Sequence, residues 1–145
     1  MLSLAPNVHD LLPHRHPFLF IDQILSVKSG QSAQGLYRVS GSHPFMNHQG
    51  DIPVFPSLLV IEALAQIAAV YVCLEQTAGV IESPPKGYLV RIDQCSLDGS
   101  VQAGETLVLN AHFVVRYGSL FKFNTIAEAS GRTVASASLT LYLEP

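Results

Sequence analysis

The chain is expected to fold as an α+β protein in which a curved antiparallel sheet wraps one long central helix. Three observations carry this. The run from Leu58 to Leu74 is apolar on every side except at Glu62 and Gln66, as in a helix enclosed by protein. Strand-like stretches on both sides of it end in tight Gly- or Ser-containing reversals. With 145 residues and 48% hydrophobic content, one domain over residues 1–145 has enough apolar surface for a substantial core.

In chain order, residues His9 to Leu12 suggest a short helical turn that stops before Pro13. Phe18 to Val27 and Ser32 to Val39 read as strands, with Ser29-Gly30 turning between them. Ser40 to Phe55 hold four prolines and glycines and two histidines, the composition of an irregular loop, where sites tend to lie. The helix is expected to start near Pro56 or Ser57, since Pro is tolerated in a first turn and Ser satisfies a free N–H there, and to end near Gly79. After Ser83-Pro84-Pro85 come strands over Tyr88 to Leu97, Thr106 to Tyr117, Leu120 to Ala129 and Thr133 to Leu143. Gly118-Ser119 and Ser130-Gly131-Arg132 make tight hairpin turns, so the last strands form an antiparallel meander.

Composition excludes several functions. Eight Lys and Arg residues are scattered singly and the formal net charge is −3, so no basic stripe exists for nucleic acid. The Leu58–Leu74 run sits at the short limit for a membrane span and would bury Glu62 and Gln66 in hydrocarbon; a protein-wrapped helix is the better account. Met1 to Pro6 lack the cationic start and apolar run of a secretory signal, which predicts a cytoplasmic protein. Cys73 and Cys95 have no ligand spacing and read as small buried hydrophobes, without disulfide or metal. Only 13% of residues are charged, against about a quarter in a typical soluble domain. A sizeable subunit interface is therefore expected.

One carboxylate stands out chemically. Ionised Glu62 in an apolar helix would bear a desolvation cost on the order of several kcal/mol, so its pKa is expected to rise unless a partner or substrate relieves it. His48 lies fourteen residues upstream in the loop. Together they form a candidate acid/base pair.

Leu12-Pro13-His14-Arg15-His16-Pro17-Phe18-Leu19-Phe20-Ile21-Asp22 is similar to the opening motif of the β-hydroxyacyl-acyl-carrier-protein dehydratases of fatty-acid synthesis. Pro53 to Gln66 resembles their helix-start motif, and Tyr88 to Leu107, with Ile92-Asp93 and Ala103-Gly104-Glu105, follows their pattern without a gap. The resemblance covers nearly the whole chain and implies the hotdog fold. It implies a hydro-lyase that converts a (3R)-hydroxyacyl thioester of acyl-carrier protein or coenzyme A into a trans-2-enoyl thioester, without cofactor or metal. His48 and Glu62 keep the family's spacing and become the catalytic pair; Ser57 takes the place whose backbone N–H meets the thioester oxygen, and Tyr88 that of a gating tyrosine. Phe18, Phe20, Phe45, Phe55, Phe113 and Phe121 read chiefly as core or interface, but some must line any acyl channel, and Phe55 is taken with the site as substrate-binding. The pair is expected to come from opposite subunits of a homodimer, or of three such dimers in a hexamer.

The chemistry needs these types. Dehydration removes a weakly acidic α-proton and expels hydroxide, so it requires a base active near neutrality, an acid for the leaving oxygen and a dipole at the carbonyl. His48 would be the base, Glu62 the acid or the holder of a water, and the positive helix end at Ser57 the dipole. The same base would serve an α-to-γ isomerisation. Relatives have His-Phe-Pro-Gly where this chain has His48-Gln49-Gly50-Asp51; a rival register puts Asp51 in the catalytic place. The family's basic stretch after the tyrosine is here Cys95-Ser96-Leu97-Asp98-Gly99-Ser100. His14 and His16 are assigned to structure, two histidines one residue apart being weak as a metal site, and His43 to loop packing. Two other readings stay open: a non-catalytic acyl-binding hotdog subunit, and a hotdog thioesterase.

Overall fold

A computed structural model describes residues 7–48, 50–77 and 86–144. The expected helix end at Gly79, the Ser83-Pro84-Pro85 break and Gln49 of the rival register lie outside the described residues. The elements run α1 (Val8–Leu11), β1 (Gln23–Lys28), β2 (Ser32–Arg38), β3 (Val54–Phe55), α2 (Ser57–Thr77), β4 (Gly87–Leu97), β5 (Val101–Gln102), β6 (Thr106–Tyr117), β7 (Leu120–Ala129) and β8 (Arg132–Leu143). Six strands form one antiparallel sheet in the order β1-β2-β6-β7-β8-β4, and β3 pairs with β5. This is the hotdog fold, with α2 as its filling.

The helix is apolar all round because the sheet curls over it. Ala63, Leu64, Ile67, Ala68, Val70 and Tyr71 are buried against Leu107, Leu109, Phe123, Leu139 and their neighbours. It is long and apolar enough to cross a membrane, yet two thirds of it (67%) is buried inside the fold, as in a core helix. Close approach of helix and sheet depends on Gly35 in β2: a Cβ there would lie 2.9 Å from Ile67 Cδ1 and 3.1 Å from the Gln23 carbonyl oxygen. Gly35→Ala is expected to destabilise the protein by about 1–3 kcal/mol through overpacking. Ile67→Val, which removes Cδ1, should recover part of that loss in the double variant. Thermal denaturation of the set checks this, and a Gly35→Ala protein as stable as wild type would contradict the close packing.

The hairpins follow their turn chemistry. Gly118 has φ +58° between the paired Tyr117 and Leu120, and both Ser130 (φ +50°) and Gly131 (φ +77°) lie in the left-handed region between Ala129 and Arg132, as a primed two-residue turn requires. The second turn is clamped from the side. Glu105 accepts hydrogen bonds from Arg132 Nη1 (2.7 Å) and Nη2 (3.0 Å), from Ser130 Oγ (2.9 Å) and from the Gln102 N–H (2.8 Å). The Arg132 guanidinium, then the Gln102 amide, hold its carboxyl down from 4.5 to about 2. Because the folded value is depressed, the clamp stabilises the fold at and above neutral pH and the contribution is lost as pH falls toward 2. The Arg132 side chain is 45% exposed, so solvent screening keeps the effect small. Glu105→Gln should lower the unfolding free energy slightly at pH 7 and by nothing measurable near pH 2, in denaturant titrations at both pH values.

Two segments depart from the expectation. Phe18–Asp22, expected as strand, has no regular structure. Its backbone is satisfied by a side chain instead: Gln66 Oε1 accepts from the Phe20 N–H (2.8 Å) and Gln66 Nε2 donates to the Phe18 carbonyl (2.9 Å). The Ser40–Phe55 loop is not wholly irregular either, since Val54–Phe55 pairs with Val101–Gln102 and Asn47 bridges to Val54. Pairings that short give no periodic signal.

β4 stands at the edge of the sheet, hydrogen-bonded only to β8 among the described residues. Tyr88, Leu89, Val90, Ile92 and Leu97 are exposed along it. A long, apolar, uncovered edge of this kind invites another strand.

Candidate active site

The site is built on α2. Glu62 and Gln66 sit one turn apart and face the same way. Gln66 is 1% exposed and both ends of its amide are engaged: its oxygen accepts from Phe20, one amide hydrogen goes to Phe18 and the other to Glu62 Oε1 at 3.2 Å. The Phe20 N–H can only donate and the Phe18 carbonyl can only accept, so the amide has one orientation and must present a donor to Glu62. Glu62 is not sequestered as expected from the apolar helix. Its side chain is 27% exposed, at the mouth of a groove.

That groove is a cavity of about 120 Å³ running beside α2. At one end stand His14, Glu62 and Gln66; Ala65, Ala69, Val72 and Cys73 of the helix, Leu11, Leu12, Leu141 and Leu143 form apolar walls; Tyr88 lies across from the helix. From Glu62 to Cys73 the helix rises about 16 Å. Burial pushes the Cys73 thiol up, which keeps it uncharged as part of the wall. A polar head and an apolar body therefore suit an acyl chain with its functional end at Glu62.

The other expected residues fall in different places. Tyr88 lines the groove, stacks on Tyr142 and donates to Glu144 Oε2 at 3.3 Å. Ser57 is the first residue of α2, where a backbone N–H has no acceptor within its helix. His48 is exposed in the loop, and so is Asp51; neither lines the groove within one chain. Phe55, expected at the substrate, is instead fully buried at 0% exposure. Its ring packs on Phe20, Tyr37 and His43, because β3 turns alternate side chains inward and this one faces the core.

His43 is a loop-packing residue of a specific kind. Its Nδ1 accepts from the Phe45 N–H (3.1 Å), so the ring hydrogen is on Nε2, which donates to the Pro17 carbonyl (2.9 Å). The loop that carries His48 is thereby pinned to the segment that carries His14.

His14, assigned from the sequence to structure, stands with Nε2 3.5 Å from Glu62 Oε1, on the rim of the groove. His16 points elsewhere, edge-on to His43. Nothing in the spacing of residues 14 and 62 signals their contact, which arises only when the irregular Leu12–Asp22 segment is laid over α2 by Gln66.

Comparison with known proteins places this geometry. The family model of ApeP-like proteins, described as ApeP dehydratase, matches residues 6–145. The chain is similar to the 3-hydroxyacyl-[acyl-carrier-protein] dehydratase FabZ of Oceanobacillus iheyensis, at 32% identity over 140 residues covering 95% of this chain and 96% of that one. It is 33% identical over 141 residues to the FabZ of Bacillus licheniformis, covering 96% and 94%. Among solved structures, a chain of the dehydratase heterocomplex ApeI:P from Xenorhabdus doucetiae superposes with a TM-score of 0.82 at 19% identity, over 99% of this chain and 93% of that chain.

Proposed function

The chain belongs to the ApeP-like dehydratase family, and from that premise we propose that it removes water from a (3R)-hydroxyacyl thioester of acyl-carrier protein or coenzyme A to give the trans-2-enoyl thioester. The observation that carries the reading is Glu62 at the polar end of an apolar groove, with one carboxyl oxygen held by a Gln66 that has no other orientation. The FabZ relatives are named for this reaction on acyl-carrier-protein substrates.

Two copies of the chain meet along β4. The uncovered apolar edge supports this, as do exposed Phe18, Phe45, Ile52 and Leu58 around the start of α2. The groove volume supports it too: about 120 Å³ is below the roughly 300–1,000 Å³ of a typical ligand pocket, so a second chain would supply the missing wall. In that pair the exposed His48 of one copy reaches Glu62 of the other. His48 takes the α-proton, the electrons of the Cα–H bond form the double bond, and the C–O bond breaks as the hydroxyl leaves with a proton from Glu62. The Ser57 N–H, at the positive end of α2, receives the thioester oxygen as charge builds on it. Tyr88 gates the groove. Cys73 is a buried thiol, whereas Cys95, expected as a buried hydrophobe, is exposed on edge strand β4; two thiols outside any disulfide suit a cytoplasmic, reducing setting.

The test is an assay with 3-hydroxybutyryl and crotonyl thioesters, on acyl-carrier protein and on coenzyme A. Enoyl absorbance should rise with the first and fall with the second, with no thiol released. Release of free thiol would instead make the protein a thioesterase, and silence in both channels an acyl-binding subunit.

A further inference from the structure

We propose that His14 is a positioning residue for Glu62, acting with Gln66 to keep the transferable proton of the acid on Oε2; this rests on the dehydratase reading above. Two side-chain nitrogens converge on a single oxygen, one of them already donating to it. Gln66 Nε2 lies 3.2 Å from Glu62 Oε1, and His14 Nε2 lies 3.5 Å from the same atom. Among the described residues Oε2 has no partner. A carboxylic acid whose Oε1 accepts from Gln66 and is approached by His14 has no room for its own hydrogen there once both donate, which leaves the proton on Oε2. That is the oxygen left to meet a hydroxyl in the groove.

The ring can play this part in one way. His14 Nδ1 is buried with no hydrogen-bond partner, which leaves Nε2 as the nitrogen that faces Glu62, and the ring must carry hydrogen there to donate. Three braces aim it. Arg15 Nη1 donates to the Leu12 and His14 carbonyls (2.8 and 2.7 Å) and Nη2 to that of His9 (3.1 Å). His43 holds Pro17, and Gln66 holds Phe18 and Phe20. A separation of 3.5 Å is long for a hydrogen bond, as is common before substrate tightens a site.

The proton account balances. Glu62 gives its Oε2 proton to the departing hydroxyl, which leaves as water. The carboxylate that remains is stabilised at Oε1 by the His14 and Gln66 hydrogens, while the α-proton is on His48 and returns to Glu62 through solvent. His14 neither gains nor loses a proton in the cycle. The ionisable groups on the surrounding elements are Tyr88 of β4, Tyr142 of β8 and Cys73 of α2, all lining the same groove.

Steady-state kinetics of His14→Ala and His14→Gln across pH 5–9 test the assignment. Gln places an amide N–H where Nε2 stands, without a titrating ring. His14→Ala should lower kcat about 10- to 100-fold with KM within about twofold, and His14→Gln should recover most of kcat. Loss in KM alone, or a Gln variant as poor as Ala, would overturn it; if the Ala variant fails to fold, the Gln variant decides. A second readout is independent of turnover: the ¹⁵N spectrum of His14 should show hydrogen on Nε2 and shift on Glu62→Gln. Hydrogen on Nδ1, or a spectrum indifferent to residue 62, would sink the proposal even in an active enzyme. An inactive wild type with the expected spectrum would sink only the dehydratase reading.

Discussion

Glu62→Gln and His48→Asn are each expected to abolish most of the dehydration rate, by about two to four orders of magnitude in kcat, in proteins that fold as wild type does. At position 62 the amide keeps the carboxyl's shape, and its oxygen can still accept from Gln66 Nε2. What is lost is the proton to be given. At position 48 the side chain is exposed, and surface substitutions of this kind change stability by no more than about 0.5 kcal/mol. Thermal unfolding should therefore separate chemistry from folding. The doubly substituted protein should be little worse than either single one, because an acid and a base that act in one step do not contribute additively. Asp51→Asn discriminates the rival alignment of the loop. It should leave kcat near wild type; if it abolishes turnover while His48→Asn does not, Asp51 holds the catalytic place.

Mixing the two inactive proteins is expected to restore activity, to about a quarter of wild type. The arithmetic follows from two-fold symmetry. When equal amounts of His48→Asn and Glu62→Gln chains exchange at random, about half of the dimers are hybrids. Each hybrid has one site built from the intact His48 of one chain and the intact Glu62 of the other, and one site with both substitutions. Half of the dimers with half of their sites working gives about a quarter, and assembly of dimers into a hexamer leaves that count unchanged. The measurement is a crotonyl thioester hydration assay on the mixture after co-refolding. A mixture as inactive as its components would mean that His48 and Glu62 act within one chain, or do not act together. The structure favours recovery for a physical reason: within one chain Glu62 lines the groove and His48 does not.

Much of the fold was legible because its signals are local. The limits of β6 and β7 match the expected strands residue for residue, and β8 differs by one residue at its start. Gly118 and the Ser130-Gly131 pair impose φ values that end one strand and reverse the next. The long helix was equally plain, since an apolar run carrying a single carboxylate has few alternatives. Phe18–Asp22 was misread because its apolar content is that of a strand, while its hydrogen bonds go to Gln66, far off in sequence. Phe55 was misplaced because an aromatic residue near a site looks the same whether it faces substrate or core. The rigid role of His43 was hidden for a similar reason, its partners being backbone atoms whose positions no pattern encodes.

By itself the amino-acid sequence determined that a curved antiparallel sheet would enclose one helix and that Glu62 would be the carboxylate within its apolar run. Turn residues, periodicity and composition act over a few positions, and those positions suffice. Only the tertiary structure decided which oxygen of Glu62 is held, that Gln66 and His14 converge on it, and that β4 is an edge strand with exposed apolar side chains. Such contacts join residues whose separation along the chain says nothing of their distance in space, and they exist once the sheet has closed over the helix.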